Sequence, residues 1–126
     1  KIMFFCKETQ PDVVVVENTV KGRNRHTQRF LEWLHRSIFG VVKFLGIQFV
    51  YMDPSEWRSV LGIRLSIEDK KNNRFVSQKK KRGRITRKHL SVRWANNAFG
   101  LKLKIKDNDI ADAISLGRAY LIRRGV

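Results

Sequence analysis

The sequence has little cysteine, proline or negative charge: one Cys, two Pro and 11 Asp plus Glu in 126 residues. The single cysteine, Cys6, excludes an internal disulfide, and with three scattered histidines it forms no zinc-ligand pattern. No apolar run reaches the roughly 18–20 residues of a membrane span. The first twenty residues also lack the pattern of a secretory signal. These absences predict an intracellular protein without a membrane anchor.

Positive charge, by contrast, is in large excess. The chain has 27 Lys plus Arg and a formal net charge of +16, more than solubility requires. The natural partner of such a chain is a polyanion, with nucleic acid the leading candidate and an anionic membrane surface the second. The length fits one compact domain, and a hydrophobic content of 42% is enough for a core.

Hydrophobic periodicity predicts a mixed α/β chain. Four consecutive valines at 13–16 predict a strand buried on both faces, closed by Glu17. Residues 47–52 predict a second strand, and the order of elements favours one α/β layered domain with parallel strands flanked by helices. Helical segments are predicted at 1–10, 27–45, 55–62, 85–99 and 107–124, and a short extended piece at 101–105. Residues 63–84 show little periodicity and predict a long, mobile, basic loop.

The scarce carboxylates cluster at the start of the last predicted helix, at Asp107, Asp109 and Asp112. Asp109 and Asp112 are three residues apart and share a helix face. If that face lies opposite the end of the first strand, Glu17 joins them, and such oxygen ligands suit Mg²⁺ or Mn²⁺. Acidic residues also cap helix N-termini and interact favourably with the macrodipole, so spacing alone favours this capping interpretation.

Basic residues follow the first strand and fill the second half of the predicted loop. A short flexible tract of cations is suited to phosphate contacts, although a solvated charge run or a localisation tag gives the same pattern. The predicted nucleic-acid-binding residues are Lys21, Arg23, Arg25, Lys79, Lys80, Lys81, Arg82, Arg84 and Arg87. The aromatic residues within the predicted helices are interpreted as core; they are Phe30, Trp33, Phe44, Trp57 and Trp94.

Three segments together resemble the RuvC-type Holliday-junction resolvases, in the family's order and across nearly the whole chain. TQPDVVVVENT (9–19) resembles the segment leading to the family's second catalytic carboxylate. DPSEWRSVLGI (53–63) resembles a proline-tryptophan-arginine segment of the phage-encoded branch. DIADAISLGRAY (109–120) resembles the final helix, which supplies two more carboxylates.

The resemblance implies an RNase H-like three-layer fold and a homodimer that nicks four-way DNA junctions using Mg²⁺ or Mn²⁺, with two ions expected. It implies metal-ligand roles for Glu17, Asp109 and Asp112. It places Arg58 and Lys88 near the scissile phosphate and subunit pairing along the helix at 27–45. A phage-encoded resolvase would act in the host cytoplasm.

Two departures from the family pattern limit these expectations. The family's first catalytic aspartate lies on an opening strand followed by two antiparallel strands, and Glu17 comes too soon after Lys1 to accommodate them. The chain is therefore interpreted as lacking these N-terminal strands, and is expected to bind better than it cuts. Val20 also stands about where the family often has an aromatic wedge.

Two other functions fit the composition. One is another RNase H-like nuclease, acting on duplex or on an RNA–DNA hybrid. The other is a non-catalytic nucleic-acid-binding or ribosome-associated basic protein, for which the aspartate cluster is only the chemistry of a helix start. Dependence on a divalent cation distinguishes the nucleases from the binding protein.

Overall fold

The computed structural model describes residues 1–18, 24–76 and 82–126. These residues form a mixed α/β structure with six α-helices, one 3-10 helix and one two-stranded parallel sheet. The chain divides into two compact units, Lys1–Pro54 and Ser55–Val126. None of the helices in the described ranges is long and apolar enough to cross a membrane.

The first unit contains both strands. Its elements are α1 (Ile2–Thr9), β1 (Val13–Glu17), α2 (Arg25–Phe44) and β2 (Gln48–Met52). The strands are parallel and in register from Val13 opposite Gln48 to Glu17 opposite Met52, as predicted. Each residue of β1 is only half-buried, so the prediction of burial on both faces is wrong. Burial on both faces requires packing layers on each side of the sheet, and a sheet of two strands is too narrow for helices to cover both of its faces fully.

Helix α2 forms the crossover between the two parallel strands. It begins earlier than the predicted Thr27, because the Asn24 side chain accepts hydrogen bonds from the backbone N–H groups of His26 (3.0 Å) and Thr27 (3.4 Å). The helix ends at Phe44, and Gly46 (φ 71°) makes the left-handed turn into β2.

The second unit is helical. Its elements are α3 (Pro54–Val60, whose first residue belongs to the first unit), α4 (Ile67–Phe75), α5 (Arg87–Phe99), a 3-10 helix (Ile105–Asp107) and α6 (Asn108–Arg123). Its core joins α5 to α6 through Val92, Ala95 and Ala111. The predicted extended piece at 101–105 is irregular and runs into the 3-10 helix, because Asn96 hydrogen-bonds both the N–H (2.9 Å) and the C=O (3.0 Å) of Leu103.

Helix α4 corrects the prediction that residues 63–84 form a loop. Its start is fixed by a reciprocal capping box, in which the Ser66 hydroxyl accepts from the Asp69 N–H and the Asp69 carboxylate accepts from the Ser66 N–H, both at 3.0 Å. The same carboxylate accepts two hydrogen bonds from the Arg93 guanidinium of α5, at 3.0 and 3.1 Å. Hydrophobic periodicity misses this helix because polar contacts hold it.

Replacement of Asp69 by asparagine should loosen α4 and leave the α5–α6 core folded. The neutral amide loses the charge on which the two-point contact with Arg93 depends, so amide exchange should accelerate at 67–75 and stay slow in α6. Hydrogen exchange measured by mass spectrometry tests this. The matched control is Glu68→Gln, which removes one negative charge from the neighbouring residue, whose side chain is exposed. Equal exchange in wild type and Asp69→Asn would contradict the prediction.

The same ion pair gives α4 a defined pH dependence. The Arg93 guanidinium, with the Ser66 N–H and hydroxyl, lowers the pKa of Asp69 from 3.8 to about 2. Because the pKa is depressed in the folded state, the stabilisation is complete above about pH 4 and is lost as the pH falls towards about 2. Protection of α4 should decline over this range in wild type but not in Asp69→Asn.

Candidate nucleic-acid and metal site

The carboxyl ends of the two strands bring acidic and amide side chains to one edge of the sheet. Glu17, half-buried, ends β1 opposite Met52, and the next N–H, of Asn18, donates to the Met52 carbonyl at 2.9 Å. The Asn18 side-chain amide donates to the Asp53 carboxylate, also at 2.9 Å. Sequence reasoning assigned Asp53 only to a turn. Its position directly after the second parallel strand is the sequence signal that predicts a place at the same edge of the sheet as Glu17.

At the start of α6 the three aspartates have different surroundings. The Asp107 carboxylate accepts a hydrogen bond from the Lys104 N–H at 2.9 Å and closes the turn that leads into the helix. Asp107 directly precedes α6, as the capping interpretation expects, but its side chain makes no cap hydrogen bond to that helix and serves the Lys104 N–H instead. Asp109 is exposed, one turn before Asp112 on the same face.

Asp112 is half-buried, and one of its carboxylate oxygens, Oδ1, is buried without a hydrogen-bond partner among the described residues. A buried carboxylate oxygen without a partner destabilises the fold, since it has lost its water and gained nothing in return. A hard divalent cation is a partner that suits such an oxygen. The local chemistry of Asp112 is thus compatible with the ligand role that the resemblance implies.

The predicted three-carboxylate set draws on both units: Glu17 lies in the first, and Asp109 and Asp112 lie in the second. Within either unit taken by itself, the described residues contain no group of three or more His, Cys, Asp or Glu placed to hold a metal ion. The complete ligand set therefore stays a prediction.

Arg58 lies on α3 directly after Trp57, which is fully buried. Its guanidinium carbon lies 4.5 Å from the centroid of the Trp57 ring, and its Nε is buried without a hydrogen-bond partner in the described structure. Stacking on an indole ring restricts the orientation of a guanidinium, and a guanidinium held in this way is suited to a phosphate oxygen. This geometry fits the role that the resemblance gives to Arg58.

Lys88 and Arg87 occupy the first turn of α5, where the helix dipole disfavours cations. This first turn contains no acidic residue that would neutralise them. It is capped by a contact between Thr86 and His89, in which the His89 Nδ1 lies 2.8 Å from the Thr86 hydroxyl and 3.2 Å from the Thr86 backbone nitrogen. Bound phosphate would relieve this local excess of positive charge.

The predicted basic set falls partly in the described structure. Lys21, Arg23, Lys79, Lys80 and Lys81 lie outside the described residues. Arg25 is the first residue of α2 and is exposed; Arg82 is exposed and Arg84 half-buried on the segment leading into α5. Sequence reasoning did not assign nucleic-acid contacts to the cations of α4, because it treated that segment as part of a loop.

Three of the aromatic residues predicted as core are exposed. On α2, Phe30 is 60% exposed, Trp33 64% and Phe44 79%; only Trp57 among the predicted set is fully buried, and Trp94 is half-buried against the α5–α6 core. Periodicity identifies an apolar face but not what covers it. With Ser37 and Gly40, these residues form the α2 stripe, defined as positions 30, 33, 37, 40 and 44. Its alternating spacing of three and four is that of a helix-pairing seam.

Comparisons of the chain with family models, with curated proteins and with solved structures find no match. The likeness to RuvC-type resolvases therefore rests on the three sequence segments, and the site has to be judged on its own chemistry.

Alanine substitution should separate the two kinds of aspartate on α6. Asp107→Ala removes the acceptor of the Lys104 N–H and should lower the free energy of unfolding by about 0.5–1.5 kcal/mol, as for the loss of one hydrogen bond. Asp112→Ala removes a buried oxygen that has no partner, so stability should be unchanged or higher. Urea unfolding monitored by tryptophan fluorescence measures both. A larger loss for Asp112→Ala than for Asp107→Ala would show that Asp112 has a structural role.

Proposed function

We propose that the protein is a metal-dependent endonuclease that binds four-way DNA junctions and resolves them, in the manner of the RuvC-type enzymes it resembles. The observation that carries the proposal is the buried carboxylate oxygen of Asp112, which has no hydrogen-bond partner in the described part of the chain and lies at a position where the resemblance implies a metal ligand. The net charge of +16 supports a polyanionic substrate.

In this proposal Glu17, Asp109 and Asp112 hold Mg²⁺ or Mn²⁺, which supplies Lewis acidity and a water of lowered pKa at the phosphodiester. Arg58 and Lys88 stabilise the negative charge that develops on the phosphate oxygens as a bridging P–O bond breaks. The stacking of Arg58 on Trp57 supports this assignment, because a guanidinium already held in place loses less freedom when it binds an anion.

The finer fold assignment, an RNase H-like three-layer arrangement, belongs to the same proposal. It is supported by a parallel strand pair joined by a crossover helix, with a carboxylate at the end of the first strand.

We further propose that two copies pair through the α2 stripe. Three large aromatic side chains are exposed along it, and the small residues Ser37 and Gly40 lie between them. Small residues at the centre of a seam allow two helices to approach closely, while flanking aromatic residues bury large areas. Pairing of two copies would bury this apolar face, which the described residues of its own unit leave exposed.

The first experiment is a competition titration in Ca²⁺, a cation chosen to suppress cutting. A labelled four-way junction is displaced by unlabelled junction or by linear duplex of the same sequence, at moderate salt. The proposal predicts that junction competes at least about tenfold better than duplex, a free-energy difference of about 1.4 kcal/mol. Equal competition would contradict it and favour a nuclease of duplex or hybrid, or a binding protein that recognises charge alone.

A thermal-shift measurement separates a nuclease from a basic binding protein in the same preparation. Mn²⁺ should raise the Tm of wild type and of Asp107→Ala, because a ligand that binds only the folded state stabilises it. It should not raise the Tm of Asp112→Ala. A Tm independent of Mn²⁺ in all three proteins would exclude the metal site and leave the binding-protein alternative.

Pairing is tested at one position of the stripe. Trp33→Gln should shift the chain from dimer towards monomer, with a dissociation constant raised by about 30-fold or more, as for the loss of an aromatic anchor worth about 2 kcal/mol. Sedimentation velocity over a concentration series measures the change. Glu32→Gln introduces glutamine at the neighbouring position, outside the stripe, and should leave the dimer intact. A wild-type monomer at every concentration would rule out the pairing.

A further inference from the structure

Helix α4 is held in place by almost no apolar contacts. Among its nine residues only Asp69 is buried, whereas Ile67 is 74% exposed and Phe75 is 90% exposed. An isolated helix of this length and polarity is not stable in water. Its position therefore depends on the polar contacts made by one of its faces.

That inner face consists of Asp69, Asn72 and Asn73, spaced at three and four residues. Asp69 receives the two hydrogen bonds from Arg93 on α5. Asn73 donates to the Ile85 carbonyl at 2.9 Å and accepts from its N–H at 2.8 Å, and Asn72 donates to the Gly83 carbonyl at 2.9 Å. These contacts attach α4 both to α5 and to the segment that leads into α5.

The opposite side, the α4 outer face, is defined by Ile67, Lys70, Lys71, Arg74 and Phe75, all exposed. Its three cations lie at positions i, i+1 and i+4, within about 6 Å along the helix axis. Among the described residues none of them is in an ion pair, and the only exposed carboxylate of α4 is Glu68. The inner face thus holds the helix, and the outer face presents unneutralised positive charge.

The surroundings of this face add to the charge. Arg82 and Arg84 flank Gly83, whose carbonyl is held by Asn72, so both are anchored beside α4. Over Ser55–Val126 the sequence has 19 of the 27 Lys plus Arg and 6 of the 11 Asp plus Glu, a formal charge of +13. Most of the charge excess of the chain therefore belongs to the unit that contains α4.

We propose that the α4 outer face binds the sugar–phosphate backbone of duplex DNA, and that α4 is folded onto α5 in order to hold its cations for that contact. The proposal rests on the proposed nucleic-acid function but not on the metal site. Fixed cations lose less side-chain and backbone freedom on binding than cations on a flexible tract, so each contact contributes more. The contact is independent of base sequence.

The pattern of apolar residues favours DNA over an anionic membrane. An interfacial helix buries a broad continuous apolar face in the lipid boundary. On α4 the two exposed apolar residues, Ile67 and Phe75, are about 12 Å apart along the axis, and the three cations lie between them. That arrangement fits the ridge of a phosphate backbone better than the surface of a bilayer.

The test compares two variants with the same loss of charge. One replaces Lys70, Lys71 and Arg74 with glutamine, which keeps helix propensity high; the control replaces the exposed Lys102, Lys104 and Lys106 of the same unit with glutamine. Affinity for a linear duplex is measured at several salt concentrations. The α4 variant should bind at least about tenfold more weakly near 0.1 M salt, with the slope of log K against log salt reduced by about 2–3. The control should change the slope by less than about 1.

Equal losses in the two variants would overturn the proposal, since net charge alone would then explain the affinity. Vesicles of phosphatidylserine and phosphatidylcholine provide the other arm: loss of vesicle binding with unchanged duplex affinity would assign the face to lipid and also overturn the proposal. Lys71→Gln, a single exposed change, covers the case of a misfolded triple variant and should reduce the slope by about 1. Absence of junction preference in wild type would contradict the resolvase function only, because a phosphate contact raises the affinity for duplex and junction alike.

Discussion

The shortage of negative charge constrains the whole chain. With 27 cations and 11 carboxylates, the cations exceed the carboxylates by 16, so the position of each carboxylate decides which part of the structure is neutralised. Two of these carboxylates form ion pairs between helices, Asp69 with Arg93 and Glu56 with Arg123. Asp107 serves a backbone N–H. Asp112 is set apart from these three because one of its oxygens is buried and serves no described group.

The ion pair of Asp69 links stability to function. It holds a helix that buries no apolar side chain, and in doing so it fixes three unpaired cations on one exposed surface. Mutual repulsion among those cations opposes folding of the free protein, and a bound polyanion relieves that repulsion. If α4 binds DNA as proposed, its stability and its affinity for DNA are thermodynamically linked, and each should increase the other. A helix held by an apolar core would stay folded without this dependence on its ligand.

How far the sequence predicts the structure depends on which force holds each element. Elements held by apolar contacts, such as β1, α2 and α6, are predicted from periodicity to within a few residues. Helix α4 escapes that criterion, although its Ser66-x-x-Asp69 capping pair is visible in the sequence. Periodicity predicts Trp33 in the core, because it shows which face of a helix is apolar but not whether another element packs against that face. Spacing also cannot separate Asp107 from Asp112, since they differ only in which neighbours reach their oxygens.

In the proposed function, affinity for DNA and selectivity for junctions have different physical origins. Phosphates are alike on a linear duplex and on the arms of a junction, so the proposed contact of the α4 cations would strengthen binding to both. A preference for a branched substrate has to depend on the number of phosphate-binding surfaces and on the fixed distance between them. A twofold pair of chains repeats each surface once, and a four-way junction offers equivalent arms to both copies. In the proposed function, junction selectivity would therefore depend on the α2 stripe, which contributes little charge of its own, and salt-dependent affinity would depend on the α4 outer face.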